Sequence, residues 1–169
     1  MRIVLLLCAA FVLRVATEEG FSPTEVAESG KGCLPDWKQR GSRCFKLFTT
    51  LMTWIDAEKH CVSLGANLAS VHNLIEQNFL FKMVSGTKYT RAWIGGSNAV
   101  EISTWLWSDG SMFNYTNWDR GEPNNLYNQE KCMESILEAS PLLGWNDLNC
   151  EDSRPFICGT KPDVPLKLP

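Results

Sequence analysis

LGWNDLNCEDSRPFICG, residues 143–159, contains two short runs, LGWNDL and RPFICG, rich in aromatic or β-branched residues and bounded by Gly, Asn or Pro. That pattern predicts strands. The first run sets an amide, Asn146, beside an acid, Asp147; Cys150 follows it, and Cys158 lies within the second run. RAWIGG (91–96) and KCMESIL (131–137) have the same character and predict two further strands.

The chain has 169 residues, enough for one ordinary domain and a short appendage. Met1-Arg2 followed by IVLLLCAAFVL reads as a signal peptide, because the apolar run is too short to span a bilayer. Small residues in VAT (15–17) place the cut near Thr17. The formal net charge is −3; losing Arg2 and Arg14 with residues 1–17 makes it −5, a poor match to nucleic acid. The same cut removes Cys8 and leaves six of the seven cysteines, at 33, 44, 61, 132, 150 and 158. In a secreted chain an even set implies three disulfides, although six cysteines allow 15 pairings. Zinc is disfavoured: there is no CxxC pair, and only His60 and His72 are available.

Residues 18–32 are acidic and poor in apolar side chains, which predicts a flexible leader. Residues 33–159 form the expected domain, and 160–169 a Pro-broken tail. Two helices are expected within the domain. In TWIDAEKHCVSLG, Thr53 caps the start, Trp54, Ala57, Cys61 and Leu64 form a buried stripe, and Gly65 supplies the stop. In NLIEQNFLFKMVSG, Asn73 and Glu76 mark the start, Ile75, Phe79 and Met83 share one side, and Gly86 ends it. Neither His60 nor His72 is paired in sequence with a nucleophile, so both read as exposed or satisfied polar residues. From about Ser97 to Gln129 periodicity fades; Trp105, Trp107, Phe113 and Trp118 are expected to pin this long loop to the body.

GEPNNLYNQEKC (121–132) crowds acids and amides around one proline. Alone, EPN is an ordinary surface turn. WIGG (93–96), EPN (122–124), WND (145–147) and the order of the cysteines together resemble a C-type lectin domain across Cys33–Cys158. The wider layout is similar to small secreted single-domain fish lectins. The resemblance implies an α+β fold with two helices, short antiparallel sheets, a long calcium-binding loop and three disulfides. It implies the pairings Cys33–Cys44, Cys61–Cys158 and Cys132–Cys150, and a cis Glu122–Pro123 bond. Glu122, Asn124, Glu130, Asn146 and Asp147 match the family's ligands for a sugar-binding Ca²⁺, whose chemistry demands six to eight oxygens. The family's auxiliary calcium positions fall on or near Asn98, Ile102, Asn125 and Lys131, which lack carboxylates. One ion is therefore expected.

The same five residues are the expected sugar contacts, and the order acid-then-amide in EPN resembles lectins selecting mannose-type glycans on microbial or cell surfaces. Leu126 and Tyr127 could wall such a site. Asn114-Tyr115-Thr116 is a glycosylation sequon. No spare cysteine remains, so an oligomer would be noncovalent. The expected function is a secreted, non-enzymatic lectin with no membrane insertion, whose role is innate defence, a toxin's or a plasma protein's. Two rivals are an ice-binding protein of type II antifreeze kind on the same fold, and a glycosidase using Glu122 and Glu130 as its acid and base.

Overall fold

The structure, a computed structural model, describes residues 32–137 and 144–161. The signal peptide, the leader before Gly32 and residues 162–169 of the tail lie outside the described residues. In chain order the elements are β1 (Lys38–Arg40), β2 (Arg43–Met52), α1 (Trp54–Ser63), β3 (Asn67–Leu68), α2 (Leu74–Val84), β4 (Arg91–Ser97), β5 (Leu106–Trp107), a short 3-10 turn (Leu126–Asn128), β6 (Glu130–Ile136), β7 (Trp145–Asn149) and β8 (Arg154–Thr160). The strands join in the order β1-β2-β8-β4-β6-β7, with β3 on β8 and β5 on β4. All pairings are antiparallel except β4 with β8, where Trp93 faces Phe156.

The four expected strands are present, and β8 runs on to Thr160. The expectation contained no strand over residues 38–52, yet β1 and β2 form a hairpin there, turning at Gly41 with φ +58°. β2 pairs along Cys44–Phe48 with β8, so its strand state is stabilised by a partner more than 100 residues away. α1 starts at Thr53, whose hydroxyl accepts from the Asp56 N–H, and Ala57 and Cys61 are its fully buried residues. Asn73 caps α2 by accepting from the Glu76 N–H.

The inward face of α2 differs from the expected one. Gln77, Leu80, Met83 and Val84 are buried, while Ile75 is 58 % exposed and Phe79 only partly covered. Apolar periodicity misplaced the face because a polar residue occupies its centre. The Gln77 amide donates to Ser135 Oγ at 2.9 Å and accepts from Trp145 Nε1 at 2.8 Å, so its burial leaves no polar group unmatched.

Trp145, fully buried at the start of β7, organises the long segment between β4 and β6. Trp107, Phe113, Tyr115 and Trp118 place their rings 5.4–6.1 Å from it, mostly edge-on. Trp105 packs on Trp118 at 4.7 Å. These contacts anchor a segment that has little regular structure of its own. Gly95, in WIGG, lies so close to the Leu68 carbonyl that a Cβ would sit 2.6 Å from its oxygen, which explains the small residue there. All three implied disulfides form: Cys33–Cys44, Cys61–Cys158 and Cys132–Cys150. The second spans 97 residues and ties α1 to β8; on a chain-entropy account such a loop contributes about 4–5 kcal/mol.

Candidate functional site

Glu122 and Asn124 come from the loop before the 3-10 turn, Glu130 opens β6, and Asn146 and Asp147 lie on β7. In the β6–β7 register Glu130 lies opposite Asn149, Met133 opposite Asp147 and Glu134 opposite Asn146. The Glu122–Pro123 bond is cis.

Asp147 is fully buried and holds the loop by its backbone: its two carboxylate oxygens accept from Asn124 N–H at 3.0 Å and Asn125 N–H at 2.8 Å. Glu130, also buried, accepts from Leu126 N–H at 2.8 Å. Asn124 Nδ2 donates to Glu122 Oε1 at 2.9 Å. The other Glu122 oxygen is buried and receives no donor; the neighbouring acidic group is the Asp147 carboxylate. Burial lifts the Glu122 carboxyl above its ordinary range, and the Asp147 carboxylate beside it lifts it further, outweighing the donors from Asn124. Burial likewise raises Glu130; the Leu126 N–H opposes this, while the negative charges of Asp147, Glu134 and Asp152 add to it.

These residues fit a hard cation. One Glu122 oxygen lacks a donor, like charges crowd it, and the amide carbonyls of Asn124 and Asn146 are left as acceptors because their NH₂ groups face carboxylates. Among the described residues no group of three or more His, Cys, Asp or Glu side chains forms a metal cluster. Amide oxygens and water must therefore complete any shell of six to eight. At the auxiliary positions, Lys131 Nζ lies 3.3 Å from Asn125 Oδ1 and Asn98 Nδ2 donates to the Ile102 carbonyl. A fixed cation already occupies that side.

Three residues near Asn125 have backbones in the left-handed region: Asn125 itself, Tyr127 and Asn128, at φ 46°, 54° and 59°. Asn tolerates this conformation; for Tyr it is uncommon. Tyr127 is 81 % exposed and Leu126 50 %, so neither is held by packing.

Sequence reasoning missed a third buried carboxylate, beside Asp147 and Glu130. Glu134 Oε1 accepts from Arg91 Nη1 at 2.7 Å and from Asn146 Nδ2 at 3.0 Å, and its Oε2 accepts from Arg154 Nε at 2.8 Å. Only the register of β6 against β7 reveals it.

The reading of His60 also needs correction, whereas His72 is satisfied as expected. His60 is packed against the rings of Phe48 and Phe156, and its Nε2 is buried with no partner. It is neither exposed nor satisfied. His72 Nε2 lies 3.1 Å from Ser70 Oγ and 3.2 Å from Ser111 Oγ, so it does meet hydroxyls. The Asp109 carboxylate, however, is taken up by those same hydroxyls, whereas a catalytic triad needs it on the imidazole to orient the ring as a base. Ser70 also accepts from Arg43, itself paired with Glu76 at 2.9 Å, which makes the group a brace between β2 and the segment leading into α2.

A family profile described as the lectin C-type domain matches residues 50–160. Ladderlectin of Oncorhynchus mykiss is 43 % identical over 169 aligned residues, covering 89 % of this chain and 88 % of its own. A galactose-specific lectin, nattectin of Thalassophryne nattereri, is 38 % identical, covering 86 % and 91 %. Among solved structures, a calcium-independent type II antifreeze protein superposes with TM-score 0.69 at 35 % identity, covering 77 % of this chain and 95 % of its own. Among the described residues no helix is long and apolar enough to cross a membrane. With the profile, the relatives and the disulfide-braced α+β fold in agreement, the chain belongs to the C-type lectin family, a non-enzymatic, carbohydrate-binding family whose fold an antifreeze protein also carries.

Proposed function

We propose that this chain is a secreted, calcium-dependent lectin selective for mannose-type glycans. The observation that carries the reading is the Glu122–Asn124 pair beside Asp147: an ordered acid-then-amide pair with one buried carboxylate oxygen left without a donor. Glu122, Asn124, Glu130, Asn146 and Asp147 would hold a calcium ion, which would supply a Lewis-acidic centre for two adjacent hydroxyls of a sugar. Glu122 and Glu130 accept hydrogen bonds from those hydroxyls, while the second N–H of each amide, Asn124 and Asn146, donates to their lone pairs. Asp147 keeps the loop on β7 by its two backbone hydrogen bonds. A single diol contact implies a monosaccharide dissociation constant on the order of 1 mM, so useful avidity calls for noncovalent association of several domains. Asn114 is exposed, and we assign an N-glycan to it in the secreted protein.

Competition between mannose and galactose tests the specificity, since one relative is named galactose-specific. The wild type should prefer mannose; Glu122→Gln with Asn124→Asp exchanges donor and acceptor and should move preference toward galactose. A wild-type preference for galactose, or an unaltered mannose preference in a folded, calcium-loaded double variant, refutes the reading. The ice-binding alternative draws on the antifreeze neighbour and on exposed Val100, Ile102, Leu106 and Met112. Ice-crystal shaping that sugar and chelator leave unchanged would establish it instead.

A further inference from the structure

An asparagine amide is nearly symmetrical in shape, and half a turn about its last bond exchanges carbonyl oxygen for NH₂. Only one of these orientations offers an oxygen to a cation, so something in the site must choose. For Asn124 the neighbouring Glu122 does so. For Asn146 the choice falls to a residue outside the five ligands.

Glu134 stands directly opposite Asn146 across the β6–β7 ladder, where cross-strand side chains meet. It is fully buried, and both of its oxygens are held, one by Arg91 at 2.7 Å and the other by Arg154 at 2.8 Å. Two guanidinium groups prevent the carboxylate from turning away, and carboxylate oxygens accept hydrogen bonds. Asn146 can meet such a group only with its NH₂, which it does at 3.0 Å. Its carbonyl oxygen is thereby directed away from Glu134, and its second N–H stays available.

We propose that Glu134, clamped between Arg91 and Arg154, is a positioning residue that sets the amide orientation of Asn146 and so presents its carbonyl oxygen to the cation. This inference rests on the calcium-site reading above. It needs no contact between Glu134 and either metal or sugar. It also assigns a purpose to burying a carboxylate with two arginines, an arrangement whose desolvation cost makes it weak evidence of stabilisation by itself.

The test uses Glu134→Gln, alone and with Asn146→Asp, in the whole secreted protein. The introduced glutamine can itself donate, so the Asn146 amide is no longer forced one way. Calcium affinity measured by calorimetry should fall about 10–100-fold, the range usual for loss of an outer-shell partner. The double variant keeps the net charge and gives position 146 oxygen on both sides, so it should recover most of that loss. A merely structural role for Glu134 predicts no recovery. A second readout needs no metal: in chelator, the side-chain amide resonances of Asn146 should show hydrogen-bonded, separated protons in the wild type and a solvent-averaged pattern in Glu134→Gln. Should that variant not fold, Glu134→Asp keeps the charge but withdraws the oxygen from Asn146, and is read in the same way. Unmoved amide signals, or a double variant no better than the single, would overturn the proposal. A wild type that binds no calcium overturns the underlying site reading, and the calcium-free amide signals tell that failure apart from failure of the positioning step.

Discussion

Asp109 and Glu122 are both carboxylates in the segment between β4 and β6, and their surroundings treat them oppositely. Burial pushes the Asp109 carboxyl up, but hydroxyl donors from Ser111 and Ser70, the Ser111 N–H and the Arg43 guanidinium together hold it below its usual range. Burial also pushes Glu122 up, and there the neighbour is a second carboxylate, so the shift remains upward. One acid is supplied with donors by the fold; the other keeps an oxygen without any. The difference separates a carboxylate whose charge is settled by donors within the protein from one whose charge its surroundings oppose.

The largest effect that could break this comparison is expected from Asp147→Asn. An amide cannot accept at both ends, so one of the loop N–H groups, of Asn124 or Asn125, loses its partner while the site loses a charge. Calcium affinity should fall by more than about 100-fold, beyond the loss expected for outer-shell partners, and calorimetry checks it. Retained affinity would move the cation elsewhere. On the other side of the comparison, Asp109→Asn should cost about 1–3 kcal/mol of stability in denaturant unfolding, because it removes charged hydrogen bonds to Ser70 and Ser111. Calcium and sugar binding should not change; a loss there would show that the two clusters are coupled.

Acid sharpens the same contrast. Asp109 binds its proton less readily in the folded state, so its contribution is complete above the ordinary value of 3.8 and is lost as pH falls through the lowered pKa. Glu122 and Glu130 have the opposite sign: without calcium their contribution is present in full below 4.5 and is lost as pH rises through their raised values. On the proposed reading, calcium would reverse that penalty by favouring the ionised forms, and protons would compete with it. The stability added by calcium should therefore shrink from near pH 7 to near pH 5 in paired unfolding curves with and without chelator. An increment that stays constant would separate these acids from the metal. The smallest effect belongs to Tyr127→Ala: at 81 % exposure the change in stability should stay within about 0.5 kcal/mol, and only competition assays between sugars should register the missing ring.

Short-range signals carried much of this protein. Thr53 and Asn73 cap their helices as read, because a cap involves residues three apart. RAWIGG, KCMESIL and RPFICG, and LGWNDL from Trp145 on, form strands because side-chain character and bounding turns are local. EPN, WND and the cysteine order pointed to the family, and with it to the three disulfides and the cis bond. The rest depended on which residues meet across the fold. Gln77 faces inward because Ser135 and Trp145 are there to receive its amide. His72 reaches Ser111 across 39 positions, and Glu134 faces Asn146 because of strand register. None of these could be read along the chain, since a buried polar side chain is placed by partners whose proximity only tertiary packing creates.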